Sequence, residues 1–159
     1  MSESLSPLFN ETPQVPCEIE MPFHNLNIFD DLPLRLRKTI NPYVGRMIEG
    51  QSESTLPVMF GSRLRNMRGH WREYFSERMK EPVDKIFLEI GVHKGKVIQA
   101  LAQDYPKHGI IGMDITMKRV VLSAENLENA GARNGLVVLG NAKYLEDLFT
   151  ENEDRKSVV

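Results

Sequence analysis

The sequence predicts an α/β fold, a βαβαβα half of a doubly wound parallel sheet preceded by an irregular Pro-rich arm and one amphipathic helix. Three observations predict it. Residues 86–90, 109–114 and 136–139 are short apolar runs without polar alternation, the mark of strands buried on both faces. Between them, apolar residues recur at helical spacing. Proline is concentrated early, with seven of the nine at positions 7, 13, 16, 22, 33, 42 and 57.

Taken in order, residues 1–57 read as an extended arm with one short helix near 32–47, because proline lacks an amide donor and disrupts helix and sheet interiors. Residues 60–80 read as one amphipathic helix. Leu64, Met67, Trp71 and Phe75 form its apolar stripe, and Arg65, Arg68 and Arg72 form a basic one. Gly69 weakens that helix by ~1 kcal/mol relative to alanine. The strand at 86–90 runs into Gly91, and Gly95 precedes a helix carrying Val97, Ile98, Leu101, Ala102 and Tyr105. After the strand at 109–114, Thr116 is placed to cap a helix whose apolar side is Met117, Val120, Val121, Ala124 and Leu127, with Gly131 to stop it. The third strand leads to a last short helix around Tyr144, Leu145, Leu148 and Phe149. The expected organisation is an arm (1–57), an α/β domain (58–150) and a polar tail (151–159). A sheet of three strands would leave an edge and much apolar surface uncovered.

Composition sets bounds. The 159 residues suffice for one domain, and 41% apolar with 26% charged is ordinary for a globular chain. A net charge of −2 means that any nucleic-acid role must come from a local basic patch. Cys17 is the single cysteine, which excludes an intrachain disulfide and fits a reducing compartment. The N-terminus shows no signal-peptide pattern, and no apolar run reaches the ~20 residues of a membrane span. A cytoplasmic location is expected. His93 has no second His or Cys at ligand spacing, so it reads as a solvent-facing turn residue and no metal is expected.

The chemistry is concentrated at the strand ends. Parallel open sheets bind ligands outside the carboxyl ends of their strands. Glu89 and Asp114 end the first and second strands, and Gly91 and Gly95 allow the backbone to bend close to a ligand. An acid after the second strand suits ribose hydroxyls, which predicts a nucleoside-containing cofactor. The turn reads G-V-H-K-G and not the G-x-G-x-x-G that cradles a pyrophosphate. A carboxylate two residues before the first glycine suits a cofactor with ammonium and sulfonium charges, such as S-adenosylmethionine. Plainer roles stand beside these: backbone amides satisfying Glu89, Asp114 capping the next helix, and a solvated face for the arginines.

The stretches "FLEIGVHKGKVIQALAQDYPKHGIIGMDI" and "NLENAGARNGLVVLGNAKYLEDLF" resemble the bacterial tRNA (guanine-N7-)-methyltransferases over about residues 60–150. The matching motifs are Glu89-Ile90-Gly91, Gly112-Met113-Asp114 and Asn141-Ala142. The resemblance implies a Rossmann-like S-adenosylmethionine-binding fold. It implies that Glu89 and Gly91 line the methionine portion of the cofactor, that Gly95 belongs to the same turn, that Asp114 holds the ribose, and that Asn141 and Ala142 meet the adenine edge. Arg63, Arg65 and Arg68 would contact tRNA phosphates, and the substrate would be a guanine of the tRNA variable loop. Two departures stand out. His93 replaces the usual middle glycine of the turn. The family's F-P-D-P-W motif, with the acid at the reacting base, has no counterpart before residue 159. The catalytic residue is therefore expected beyond the chain's end, and poor catalysis is expected of the chain alone. The alternatives are a non-catalytic cofactor-binding remnant or interaction module, and another small S-adenosylmethionine-dependent methyltransferase.

Overall fold

The computed structural model describes residues 42–151 and 153. Its centre is a parallel sheet of four strands, β1 (Val58–Met59), β2 (Ile86–Ile90), β3 (Gly109–Asp114) and β4 (Gly135–Leu139), in the order β1-β4-β3-β2. Before β1 lies α1 (Pro42–Ser52), and between β1 and β2 lie α2 (Gly61–Arg65) and α3 (Trp71–Met79). Helices α4 (Lys96–Asp104) and α5 (Met117–Asn129) follow β2 and β3. A 3-10 turn (Ala142–Tyr144) and α6 (Leu145–Leu148) follow β4. The expected strand–helix alternation from residue 86 onward is present.

Alternation along each strand sorts the core into two layers. Phe87, Ile110, Val137, Leu139 and Val58 pack with α1, α4 and α5. Leu88, Ile111, Met113, Val138 and Met59 pack with α2, α3 and α6. This is a doubly wound three-layer arrangement, with apolar side chains on both sheet faces removed from water. Gly112 carries no side chain on the first face, and an added Cβ would meet Val92 at 2.5 Å and Ile98 at 2.6 Å. Its absence lets the start of α4 lie directly on β3. Helix α5 ends as expected: Gly131 has φ +68°, its amide donates to the Glu128 carbonyl at 3.0 Å, and the Ala132 amide donates to that of Leu127 at 3.1 Å. This is the paired hydrogen bonding of a Schellman stop.

The N-terminal half departs from expectation in three places. The first ten positions of the helix expected at 32–47 lie outside the described residues. The observed helix, α1, lies within the segment read as an extended arm, and Val44, Met47 and Ile48 are in the core. Pro42 occupies its first position, where the missing amide has no partner to lose. The helix expected over 60–80 is two helices. Gly69, at φ +84°, turns the chain between them, yet Leu64, Trp71 and Phe75 are all fully buried. Strand β1 was not expected. It pairs Val58 with Val137 and Met59 with Val138, so β4 is covered on the side where a three-strand sheet would have left it open.

Glu153 locks the last described segment to α3. Its carboxylate accepts from the amides of Trp71 (2.9 Å), Gly69 (2.8 Å) and Thr150 (3.2 Å), and it is buried. It supplies the acceptor that the α3 N-terminus lacks, since His70 offers no side-chain cap. Trp71 adds an indole bond to the Leu148 carbonyl at 2.8 Å and stacks on Phe149. Glu153→Ala should lower stability by about 1–3 kcal/mol, as buried amides lose a charged acceptor. Urea unfolding of variant and parent checks this, and an unmoved midpoint would show that the carboxylate does not hold the segment.

Candidate functional site: the crevice at the carboxyl edge of the sheet

Strand β2 leaves the sheet through a bend that the sequence dictates. Gly91 has φ +84°, and open space surrounds the position a Cβ would take. His93 also lies in the left-handed region, at φ +48°, and is exposed, as read from the sequence. The bend is tied to the neighbouring strand: the Gly91 amide donates to the Met113 carbonyl at 2.7 Å, and the Val92 amide donates to Asp114 Oδ2 at 3.2 Å. Gly95, at φ +79°, begins α4. A side chain there would meet Ser123 of α5 at 2.8 Å, so packing of the two helices accounts for this glycine.

The bend brings the starts of α4 and α5 together over a cavity of about 620 Å³. Glu89, Val92, Val97, Thr116 and Leu122 are among its walls, and His93, Lys94, Lys96, Lys118 and Arg119 surround it. The size is that of a small-molecule site. In the ladder Glu89 pairs with Gly112, so Asp114 lies on the same sheet face two residues further on, roughly 8 Å away between Cα positions by strand geometry. The structure therefore brings the two predicted acids to one edge and one face.

Their surroundings differ. Glu89 is only 5% exposed, and its Oε2 has no hydrogen-bond partner among the described residues. Burial raises the Glu89 carboxyl above its ordinary range, opposed by the Ile98 backbone amide in the first turn of α4. Asp114 is equally buried but well satisfied. Its Oδ1 accepts from the Thr116 amide at 2.9 Å, its Oδ2 accepts from Val92, and the Arg119 guanidinium stands 3.9 Å away. The start of α5 is thus capped by Asp114; the Thr116 hydroxyl makes no cap bond. A carboxylate has about four acceptor positions, so two remain for a ligand. Asn141 Oδ1 accepts from the Lys143 amide at 2.9 Å and caps the turn that carries Ala142.

The predicted arginines lie elsewhere on the same edge. Arg63 and Arg65 end α2, directly after β1, and Arg68 follows in the turn. Arg63 donates to the Gln51 carbonyl at 3.3 Å and Arg68 to the Glu146 carbonyl at 2.8 Å, so both staple neighbouring segments. Three strand spacings, roughly 14 Å, separate β1 from β2. The reading from sequence missed Lys96, Lys118 and Arg119, whose only signal was basic residues at two helix starts. Val97, read from the sequence as one of the apolar residues at helical spacing, is 43% exposed on the cavity wall.

Residues 83–159 match a family model described as "Putative methyltransferase". The match, over just under half of the chain, supports a methyltransferase family. Among curated proteins, a bifunctional glycosyltransferase/methyltransferase of Fusobacterium nucleatum is 30% identical over 90 residues, 57% of this chain and 13% of that protein. A tRNA (guanine-N(7)-)-methyltransferase of Cutibacterium acnes is 38% identical over 63 residues, 39% of this chain and 23% of its own length. The chain spans less than half the length of these methyltransferases. Among solved structures, the plantazolicin methyltransferase BamL, in complex with a triazolic desmethylPZN analog and SAH, aligns with TM-score 0.36 and 19% identity over 81% of this chain and 41% of that one.

S-adenosylmethionine is the methyl donor this family calls for, and the crevice fits it. An unpartnered, buried carboxylate oxygen asks for a cationic group, which the donor's ammonium and sulfonium provide.

The raised Glu89 carboxyl has a stability consequence. Between the ordinary carboxylate range and its raised value, the folded chain keeps a proton that the unfolded chain has released. Stability therefore falls as pH rises through that window. Glu89→Gln should flatten the decline, so that urea midpoints measured from about pH 4 to pH 8 fall in the parent and not in the variant. Parallel profiles would mean that Glu89 does not titrate in that window.

Proposed function

We propose that this chain binds S-adenosylmethionine in the crevice and directs its methyl group to guanine N7 of a tRNA. The observation that carries the reading is the orphaned oxygen of Glu89, a residue lining the carboxyl-edge crevice, on the same sheet face as a second acid, Asp114, that keeps acceptor capacity. The tRNA part of the reading is supported by the names of the relatives and by the motif spacing. The match to them is partial, so methyl transfer itself is part of the proposal.

Each residue has a defined task in this reading. Glu89 offers its free oxygen to the donor's ammonium, and the ionised carboxylate gains the partner it lacks. Asp114 accepts from the ribose hydroxyls while its bonds to Val92 and Thr116 hold it in place. Gly91 keeps the bend clear of side chain, so the backbone approaches the cofactor. Ala142 and the Asn141 backbone lie after β4, the strand next to Asp114, where the adenine edge would fall. When bound, S-adenosylmethionine supplies a methyl group on a sulfonium. The N7 lone pair takes the methyl in line, and the bonding pair returns to sulfur as a neutral thioether. N7 bears a free lone pair at neutral pH, so the chain's contribution is positioning and electrostatics.

Calorimetry with S-adenosylhomocysteine tests the cofactor part. Asp114→Ala should weaken binding about tenfold or more, through loss of charge-assisted hydrogen bonds. Asp114→Asn should fall between, since it keeps one acceptor. Binding that survives Asp114→Ala unaltered would remove the ribose role. Incubation with S-adenosylmethionine and unmodified tRNA, followed by nucleoside analysis, tests the transfer. Only slow formation of 7-methylguanosine is expected of this chain alone, and a cofactor-bound chain that forms none would be a binding module.

A further inference from the structure

We propose that Lys94, Lys96, Lys118 and Arg119 form a basic collar along which the phosphate backbone of an RNA substrate lies. The inference rests on the proposed tRNA reading for its partner, and on the structure for its location.

The collar surrounds the cavity mouth. Lys94 precedes α4, Lys96 opens it, and Lys118 and Arg119 stand in the first turn of α5. All four are exposed, as is His93 beside them. Neither helix has an acid in its first turn. Helix N-termini already carry partial positive charge and favour acids there. Four cations gathered at two such ends repel both the dipoles and one another. Among the described residues Lys94, Lys96 and Lys118 enter no ion pair, and Arg119 has only the distant Asp114. The arrangement costs stability within this chain, so its use lies in a partner. The chain as a whole is at −2, which makes this a local feature and not a consequence of overall composition.

The methyl donor does not explain it. That ligand carries a net positive charge, and its single carboxylate needs at most one of these cations. Glu89 lines the cavity and its buried, orphaned oxygen calls for positive charge, while the exposed cations lining the same cavity call for negative charge. A polyanion crossing the mouth satisfies the rim. Val97, 43% exposed, puts apolar surface beside the cations on the same cavity, which suits the flat faces of bases. The arginines of α2 and the turn after it are a less available surface, because Arg63 and Arg68 already hold backbone carbonyls.

The test measures fluorescence anisotropy with an unmodified tRNA transcript over a salt series, beside calorimetry with S-adenosylhomocysteine, on the full chain. Lys96→Glu with Lys118→Glu should weaken tRNA binding about tenfold or more and lower the slope of log affinity against log salt by about two. Melting temperature should stay equal or rise, since acids suit helix N-termini, and S-adenosylhomocysteine binding should change far less than tRNA binding. Lys96→Gln with Lys118→Gln is the milder pair, to be used if charge reversal prevents folding. Unchanged tRNA affinity and salt slope would overturn the collar while leaving the cofactor reading intact. Displacement of tRNA by poly-glutamate at equal charge concentration would overturn the choice of RNA over an acidic protein. A parent chain that binds no S-adenosylhomocysteine, yet loses tRNA on charge reversal, would sink the cofactor reading and support the collar.

Discussion

The crevice depends on one strap, the hydrogen bonds that tie the bend after β2 to the end of β3. Gly91 extends the ladder past the strand by donating to Met113, and Val92 donates to the Asp114 side chain. The same carboxylate holds the Thr116 amide at the start of α5. One buried acid therefore fixes the exit of one strand and the entry of the next helix. Gly112 makes room for Val92 and Ile98 beneath this strap, and Gly95 makes room for Ser123 beside it. With the bend fixed, both helix starts open on the same space, and Glu89 is left with an oxygen that no described residue hydrogen-bonds. A site with one satisfied and one unsatisfied acid is what binding requires: the first holds the geometry and the second waits for the ligand.

This arrangement polarises the crevice along its depth. The buried carboxylate lies under low-dielectric cover and the cations lie at the mouth, in water. Charges in water are screened within about 10 Å at ordinary salt, and buried ones much less. Glu89 therefore governs a small ligand inside the cavity, while the rim governs a large one arriving from outside. Guanine becomes cationic when its N7 is methylated. In the proposed reaction a negative wall beneath the reacting atoms would favour that developing charge, and phosphates held at the rim would keep the base in place until transfer.

The second half of the chain was legible because its signals are local. Continuous apolar runs, helical spacing and glycines at bends each occupy a few adjacent residues, and β2 and β3 fell where they were read. Gly131 as a stop for α5 was equally local. The first half was not. Strand β1 has two residues, too few for any period, and it forms because β4 offers an open edge 79 positions later, where Val58 meets Val137. The prolines misled for a related reason. Pro42 sits at a helix start, and the Pro57 carbonyl, at the start of β1, accepts from Val137; both mark boundaries of structure rather than its absence. Glu153 caps α3 from 82 positions away, a pairing no local pattern announces.

The two basic groups on the carboxyl edge show why the number of charges is a poor guide to a binding surface. The arginines of α2 and the turn after it are the denser run in the sequence, and the structure uses Arg63 and Arg68 to hold carbonyls of Gln51 and Glu146. Moving such a guanidinium onto a phosphate would break a bond the fold already uses. The lysines at the starts of α4 and α5 are sparser in the sequence and join only after folding, because the strap brings two helix N-termini to one mouth. They break no internal bond when an anion arrives, and its arrival relieves the repulsion among them. A cation placed against its own helix dipole points to a partner outside the chain more directly than one that stabilises the fold, and this chain collects such cations at the entrance to its crevice.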